Sequence, residues 1–222
     1  MSNLCVIFDL DGTLVDSENL CNQAFLDLLP QLNLSLGDLL TRFRGRKMAL
    51  IVAELEQILG TPLTADFVPK YREHVAHLFA TSLQPMPGVL EMLEQLRYPY
   101  CIASSGPIAK IRGALTVTGL LPWFERRIFS AYEVGSWKPE PGLFLHAAKT
   151  MGFEPCRCVV VEDSLVGIEA AQAAHMYAMQ FLPEGGQAEA HPHATCFDNM
   201  AALPALLNAY TTTLHEGVDL AS

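Results

Sequence analysis

Two aspartates one residue apart, Asp9 and Asp11, follow the apolar run Leu4-Cys5-Val6-Ile7-Phe8, and Gly12-Thr13 and Asp16 come next. Carboxylates at that spacing share one face of an extended chain end, repel each other and lose hydration together. Such a pair persists where a cation or a proton holds it; the plainer reading is a polar strand end that needs a turn. A second acidic pair, Glu162-Asp163, follows Cys158-Val159-Val160-Val161, and adjacent acids at the end of a buried strand need compensating charge. A hard cation with oxygen ligands supplies it. Ser104-Ser105-Gly106 follows a further apolar run and precedes a helix. Amides at such a helix start point at an anion, and Gly106 leaves room for close backbone approach; a helix cap is the plain and compatible reading. Lys138, in Trp137-Lys138-Pro139, would by default be a surface lysine. Yet the chain has 14 Lys plus Arg against 24 acids, and a bound anion would need one of those cations.

These groups need elements to hold them. Strands are predicted at Leu4–Phe8, Tyr100–Ala103, Arg127–Phe129, Cys158–Val161 and Tyr177–Phe181. Helices alternate with the last four, at Val89–Leu96, Ile108–Val117, Gly142–Met151 and Val166–Ala174. That order indicates βαβ units and a parallel sheet covered on both faces, with ligands outside the carboxyl ends of the strands. From Ser17 to Ser82 the patterning is helical throughout: Ser17–Leu29 with Ser17 as N-cap, Asp38–Phe43, Met48–Leu59 and Ala65–Ala80. The fold expected is therefore an α/β, Rossmann-like doubly wound sheet in residues 1–16 and 84–222, with a helical bundle inserted at 17–83. Gln84-Pro85-Met86-Pro87-Gly88 makes a stiff link back. Asn199–Leu207 reads as a last short helix, with poor order after Tyr210. Gly185-Gly186 and His191-Pro192-His193 read as surface loop rather than metal site.

With 222 residues, half of them apolar, the chain can bury a full core. A formal charge of −10 argues against nucleic acid or an anionic membrane as partner. Six cysteines show no zinc-finger spacing, and no apolar run approaches a membrane span. A reducing cytoplasm is the expected setting, and a monomer the expected state, with a dimer left open.

The string Asp9-x-Asp11-Gly12-Thr13-Leu14-x-Asp16 after an N-terminal strand resembles the first motif of the haloacid dehalogenase superfamily of phosphohydrolases. Ser104, Lys138 and Glu162-Asp163 match its later motifs in order. The resemblance implies an aspartyl-phosphate mechanism: Asp9 as nucleophile and Mg²⁺ ligand, and Asp11 as general acid then base. It implies too that the Asp11 carbonyl ligates Mg²⁺. It further implies Ser104 on a phosphoryl oxygen, with Ser105 and Gly106 beside it, and Lys138 neutralising charge. Asp163 becomes a metal ligand, Glu162 one directly or through water, and Ser164 and Asp16 orienting groups. The cofactor implied is Mg²⁺ and the partner a small phosphorylated metabolite.

The helical insertion is similar to the C1 cap of the β-phosphoglucomutase-like branch, and Arg42-Phe43-Arg44-Gly45 and Ser136-Trp137-Lys138-Pro139 are similar to its sugar-phosphate phosphatases. Sugar phosphates or sugar-acid phosphates such as 6-phosphogluconate are the substrate class implied. The mutases carry a His on the first cap helix where this chain has Cys21, which favours a phosphatase over a mutase. Phosphoglycolate hydrolysis is a lesser alternative, and a phospho-acceptor regulatory module a reading of a different class. Arg44, Arg46 and Lys47 flank Gly45 and are candidates for a second anionic group on the substrate, such as a carboxylate; a solvated helix start is the alternative.

Overall fold

Val6 and Phe8 pack on one side of the first strand and Cys5 and Ile7 on the other, each pair inside its own apolar cluster. A strand buried on both faces belongs in the middle of a covered sheet. In the computed structural model, which describes residues 4–183 and 190–219, with side chains to 213, that is where it lies.

The elements in chain order are β1 (Cys5–Phe8), α1 (Glu18–Leu28), α2 (Leu36–Phe43), α3 (Met48–Leu59), α4 (Phe67–Ser82) and α5 (Val89–Gln95). Then come β2 (Tyr100–Ser104), α6 (Ile108–Val117), α7 (Leu121–Phe124), β3 (Ile128–Ser130), α8 (Ala131–Val134) and α9 (Gly142–Met151). The chain continues with β4 (Cys158–Glu162), α10 (Leu165–Ala173), β5 (Tyr177–Phe181), β6 (Thr195–Phe197) and α11 (Leu203–Asp219). The six strands run parallel in the order β3-β2-β1-β4-β5-β6. The chain winds outward from β1 to β3, then crosses back to β4 on the other side of β1. Strand order reverses between β1 and β4, and a crevice opens there beyond their carboxyl ends.

Register carries the acids to that crevice. Phe8 pairs with Val161, so Asp9 and Glu162-Asp163 leave the sheet side by side, and Asp9 N–H donates to Val161 O at 2.9 Å. Helices α5, α6, α7 and α11 cover the Val6–Phe8 face, and α9 and α10 the other.

The four helices α1–α4 form the expected insertion. Phe25 centres its core, stacked on Tyr71 at 4.2 Å and edge-on to Phe43 at 5.7 Å, with Leu39, Leu55, Val75 and Phe79 buried around it. Two linkers join it to the sheet and run together: Val15 bridges both Asp11 and Pro85, Asp16 N–H donates to Gln84 O, and Met86 N–H to Leu14 O.

Several expectations need correction. Ser17 does not cap α1 with its side chain; its hydroxyl goes elsewhere, as described below. β6 was not expected, because an exposed three-residue edge strand has no apolar run to betray it. The last helix does not stop at Leu207 but continues to Asp219. Tyr210 stacks on Tyr177 at 4.0 Å, and the hydroxyls of Thr211, Thr212 and Thr213 bond back to carbonyls three or four residues earlier, so weak helix formers are accommodated. Gly185-Gly186 lies outside the described residues.

Candidate active site

Asp9, Glu162 and Asp163 converge at the crevice, each offering a carboxylate oxygen, with those atoms within 4.8 Å of one another. All three are buried. Lys138 Nζ reaches in between, donating to Asp9 Oδ1 at 2.5 Å and Glu162 Oε2 at 2.6 Å. Its side chain is 2% exposed, so the ion pair is almost wholly desolvated. Arg44 Nε lies 3.7 Å from Asp163 Oδ2. Three carboxylates against these two cations leave a surplus of negative charge in low dielectric, and an oxygen-only donor set of this kind fits a hard divalent ion such as Mg²⁺.

The remaining geometry separates the acids by role. Both oxygens of Glu162 are engaged, Oε2 with Lys138 and Oε1 with the Ser164 N–H and hydroxyl at 3.1 and 2.8 Å. Glu162 therefore anchors the lysine and the start of α10, where Ser164 also caps Gly167 N–H. Asp163 accepts from the Thr13 hydroxyl at 3.1 Å. Gly12 permits that approach: its φ is +79°, and a Cβ there would sit 2.5 Å from Asp163 Oδ2.

Asp11 stands outside the three-carboxylate cluster and lines the same cleft. Its Oδ1 accepts from Lys110 Nζ at 2.7 Å and from Ser17 Oγ at 2.5 Å. Burial opposes its ionisation, but the Lys110 charge and these two hydrogen bonds outweigh burial and hold the carboxyl below the ordinary Asp range. Lys110 had no place in the expected site. Its signal was a lysine one turn into the helix that follows the Ser104 loop, in a chain short of cations. Asp16, expected to orient the site, is exposed; Ser17, the next residue, reaches Asp11 instead.

A cleft of about 420 Å³ lies between sheet and inserted helices, lined by Asp9, Asp11, Lys138, Glu162 and Asp163 on one side. Ser105, Gly106, Gly45 and Arg46 also line it. Ser105 Oγ is buried without a partner, which suits it to an arriving oxygen. Ser104 does not line the cleft: it is buried, and its Oγ accepts Gly106 N–H at 3.1 Å, shaping the loop. Gly45, at φ +69°, lets the cap loop touch the sheet domain, since a Cβ there would be 2.7 Å from Ser164 Oγ. The other cap cations are occupied within the fold. Arg46 donates to Glu54 at 2.5 Å and to Arg42 O, and Lys47 sits 3.8 Å over the Trp137 ring. Arg72 of α4 meets Tyr132 of α8, a second bridge across the cleft mouth. His191 and His193 contact each other far along the chain, with His193 N–H donating to His191 Nδ1; neither belongs to the carboxylate cluster.

Asp9 and Asp163 are both pushed well above the ordinary Asp range, first by burial and then by neighbouring carboxylates, Glu162 foremost. Glu18, on the cleft wall, is pushed up to about 7 by burial and then by the Asp11 charge. A carboxyl raised in the fold holds its proton more tightly folded than unfolded. Its stabilisation is greatest at low pH and is lost as pH rises from the ordinary value through the raised one. Metal-free protein in EDTA should therefore show a Tm that falls between about pH 5 and pH 8, and Mg²⁺ should flatten that dependence. A Tm climbing across the same range without metal would contradict the reading of these acids as mutually repelling.

The sequence profile of the haloacid dehalogenase-like hydrolases matches residues 4–175. The 6-phosphogluconate phosphatase of Escherichia coli K12 is 33% identical over 210 residues, covering 92% of this chain and 94% of that protein. The fructose-1-phosphate phosphatase YqaB of the same organism is 30% identical over 78% of this chain and 94% of its own. Among solved structures, a haloacid dehalogenase-like protein from Agrobacterium tumefaciens superposes with a TM-score of 0.79 at 33% identity, covering 93% of this chain and 98% of that one. A putative β-phosphoglucomutase from Thermotoga maritima gives 0.71 at 26%, covering 93% and 99%. With the profile spanning both acidic strand ends and the lysine between them, this chain belongs to the haloacid dehalogenase-like hydrolases.

Proposed function

We propose that this chain hydrolyses the phosphomonoester of a small phosphorylated sugar or sugar acid through an aspartyl-phosphate at Asp9, with Mg²⁺ held by Asp9, Asp163 and the Asp11 carbonyl. It is a phosphoric monoester hydrolase, with residues 17–83 as cap and 1–16 with 84–222 as core. The observation that carries the reading is the buried meeting of Asp9, Glu162, Asp163 and Lys138 at the strand-order reversal, beside an acid that has its own cation. Mg²⁺ would supply charge neutralisation to the phosphoryl oxygens and the Asp9 carboxylate. Asp9 attacks phosphorus in line, forming its O–P bond as the P–O ester bond breaks. Asp11 gives its proton to the departing ester oxygen, then takes one from the water that releases phosphate. An arriving phosphate dianion works against ionisation of Asp11, so the carboxyl gains its proton with the substrate. Lys138 and Ser105 bear the phosphoryl charge, and the cap excludes water.

The E. coli relatives named for 6-phosphogluconate, hexitol and fructose 1-phosphate hydrolysis support the sugar-phosphate class. Cys21 argues against mutase activity. Its thiol is pushed up to about 12, chiefly by burial, and keeps its proton at neutral pH, so it cannot replace an imidazole in returning phosphoryl to sugar. Phosphate release should be measured with 6-phosphogluconate, fructose 1-phosphate, hexitol phosphates and p-nitrophenyl phosphate, with Mg²⁺ and with EDTA. Turnover of at least one sugar phosphate is expected, falling at least about 100-fold in EDTA. Metal-independent turnover, or a stable phosphoprotein without release, would remove the reading.

A further inference from the structure

Asp11 has two carboxylate oxygens, and two donors converge on one of them. Oδ1 is held in a fork by Lys110 Nζ and Ser17 Oγ, at 2.7 and 2.5 Å. We propose that Lys110 is a positioning residue for Asp11: it fixes the carboxylate plane so that Oδ2 alone exchanges the proton with the leaving oxygen and the attacking water. The inference rests on the phosphatase reading above and deepens it.

Three features make the fork a built arrangement. Lys110 comes from the first turns of α6, the helix that opens directly after Ser105-Gly106-Pro107. One rigid element therefore carries both the loop facing the phosphoryl group and the cation facing the proton donor. The ammonium stands 5.8 Å from the Phe79 ring of α4, so a cap helix packs against it as well. Ser17, the second tine, is wholly buried and sits at the start of α1. A carboxylate with no such fork rotates about its terminal torsion through a broad well. Proton transfer in the transition state demands one oxygen at hydrogen-bond distance in one direction.

The step concerned balances simply. The proton on Asp11 Oδ2 passes to the ester oxygen as the P–O bond breaks and the Asp9–phosphorus bond forms, and the product leaves as a neutral alcohol. When the departing group is a weakly basic phenolate, that proton matters little; when it is strongly basic, it matters greatly. Misplacing Asp11 therefore has an effect that scales with leaving-group basicity, whereas general damage to the fold does not.

The test compares kcat/KM for p-nitrophenyl phosphate and phenyl phosphate, which share a ring but differ in leaving-group basicity. This parameter reports the steps through ester cleavage and is blind to the later release of phosphate from Asp9. Lys110→Met should lose about 10-fold with p-nitrophenyl phosphate and about 100-fold or more with phenyl phosphate. Lys110→Arg, which keeps a donor and a charge, should recover most of the difference. Should Lys110→Met prove too unstable, Lys110→Leu, which likewise removes donor and charge, is used with the same expectation. Equal losses on the two esters, or no loss on either, would overturn the positioning role while leaving the phosphatase reading intact. Failure of the unmutated protein to release phosphate from either ester and from every sugar phosphate named above would overturn both.

Discussion

Asp9→Asn is expected to lower kcat for p-nitrophenyl phosphate by about 10⁴-fold or more, because a carboxamide cannot form the acyl phosphate that divides the displacement into two steps. The folded protein should tolerate the change. Asp9 is 6% exposed, and the amide oxygen still accepts from Lys138 Nζ, while one of three crowded negative charges disappears. The Tm of the metal-free variant should match or exceed that of the parent, since burial and then the Glu162 charge, which raise the Asp9 carboxyl, no longer act on an anion there. Mg²⁺ should raise the Tm of the variant less than that of the parent, one anionic ligand being gone. Residual activity above about one hundredth of the parent, with the sequence of the purified variant confirmed, would remove Asp9 as nucleophile.

Lys138→Met should be damaging in a different currency. The ammonium is the shared partner of two carboxylates that are 8% and 1% exposed. Removing one member of a buried ionic cluster costs about 3–5 kcal/mol, because the partners stay buried and unpaired. The urea midpoint of metal-free Lys138→Met should fall accordingly. Added Mg²⁺ should restore part of that stability by supplying charge to Asp9, yet kcat/KM should stay down by about 10³, since nothing replaces the ammonium against the transferring phosphoryl group. An unchanged midpoint in EDTA would mean that Lys138 does not hold the ends of β1 and β4 together. The two substitutions thus separate chemistry from cohesion: one removes turnover and spares the fold, the other weakens both.

What could be read from the letters was whatever depends on local pattern. Buried strands with acids at their ends, and the apolar periods of α3, α6 and α9, fall where expected because each is specified within its own window. What escaped depends on contacts between distant residues. Lys110 is 99 residues from Asp11, and nothing in its neighbourhood distinguishes it from a solvated helix lysine. For Arg46 and Lys47 the sequence shows two cations beside Gly45, but not their partners in the fold, Glu54 and Trp137. Ser17 had the side chain of an N-cap, but Asp11 outcompetes the helix for its hydroxyl. Edge strand β6 and the extension of α11 are held by tertiary contacts, Phe197 on Phe181 and Tyr210 on Tyr177, against weak local preference.

The paired linkers at Val15 have a mechanical consequence. The two linker segments are bridged to each other through Val15, which is bridged in turn to Asp11. A rotation of the four-helix layer about these linkers would therefore pull first on the backbone beside Asp11, so the seating of that layer and the placement of this carboxylate are joined through Val15.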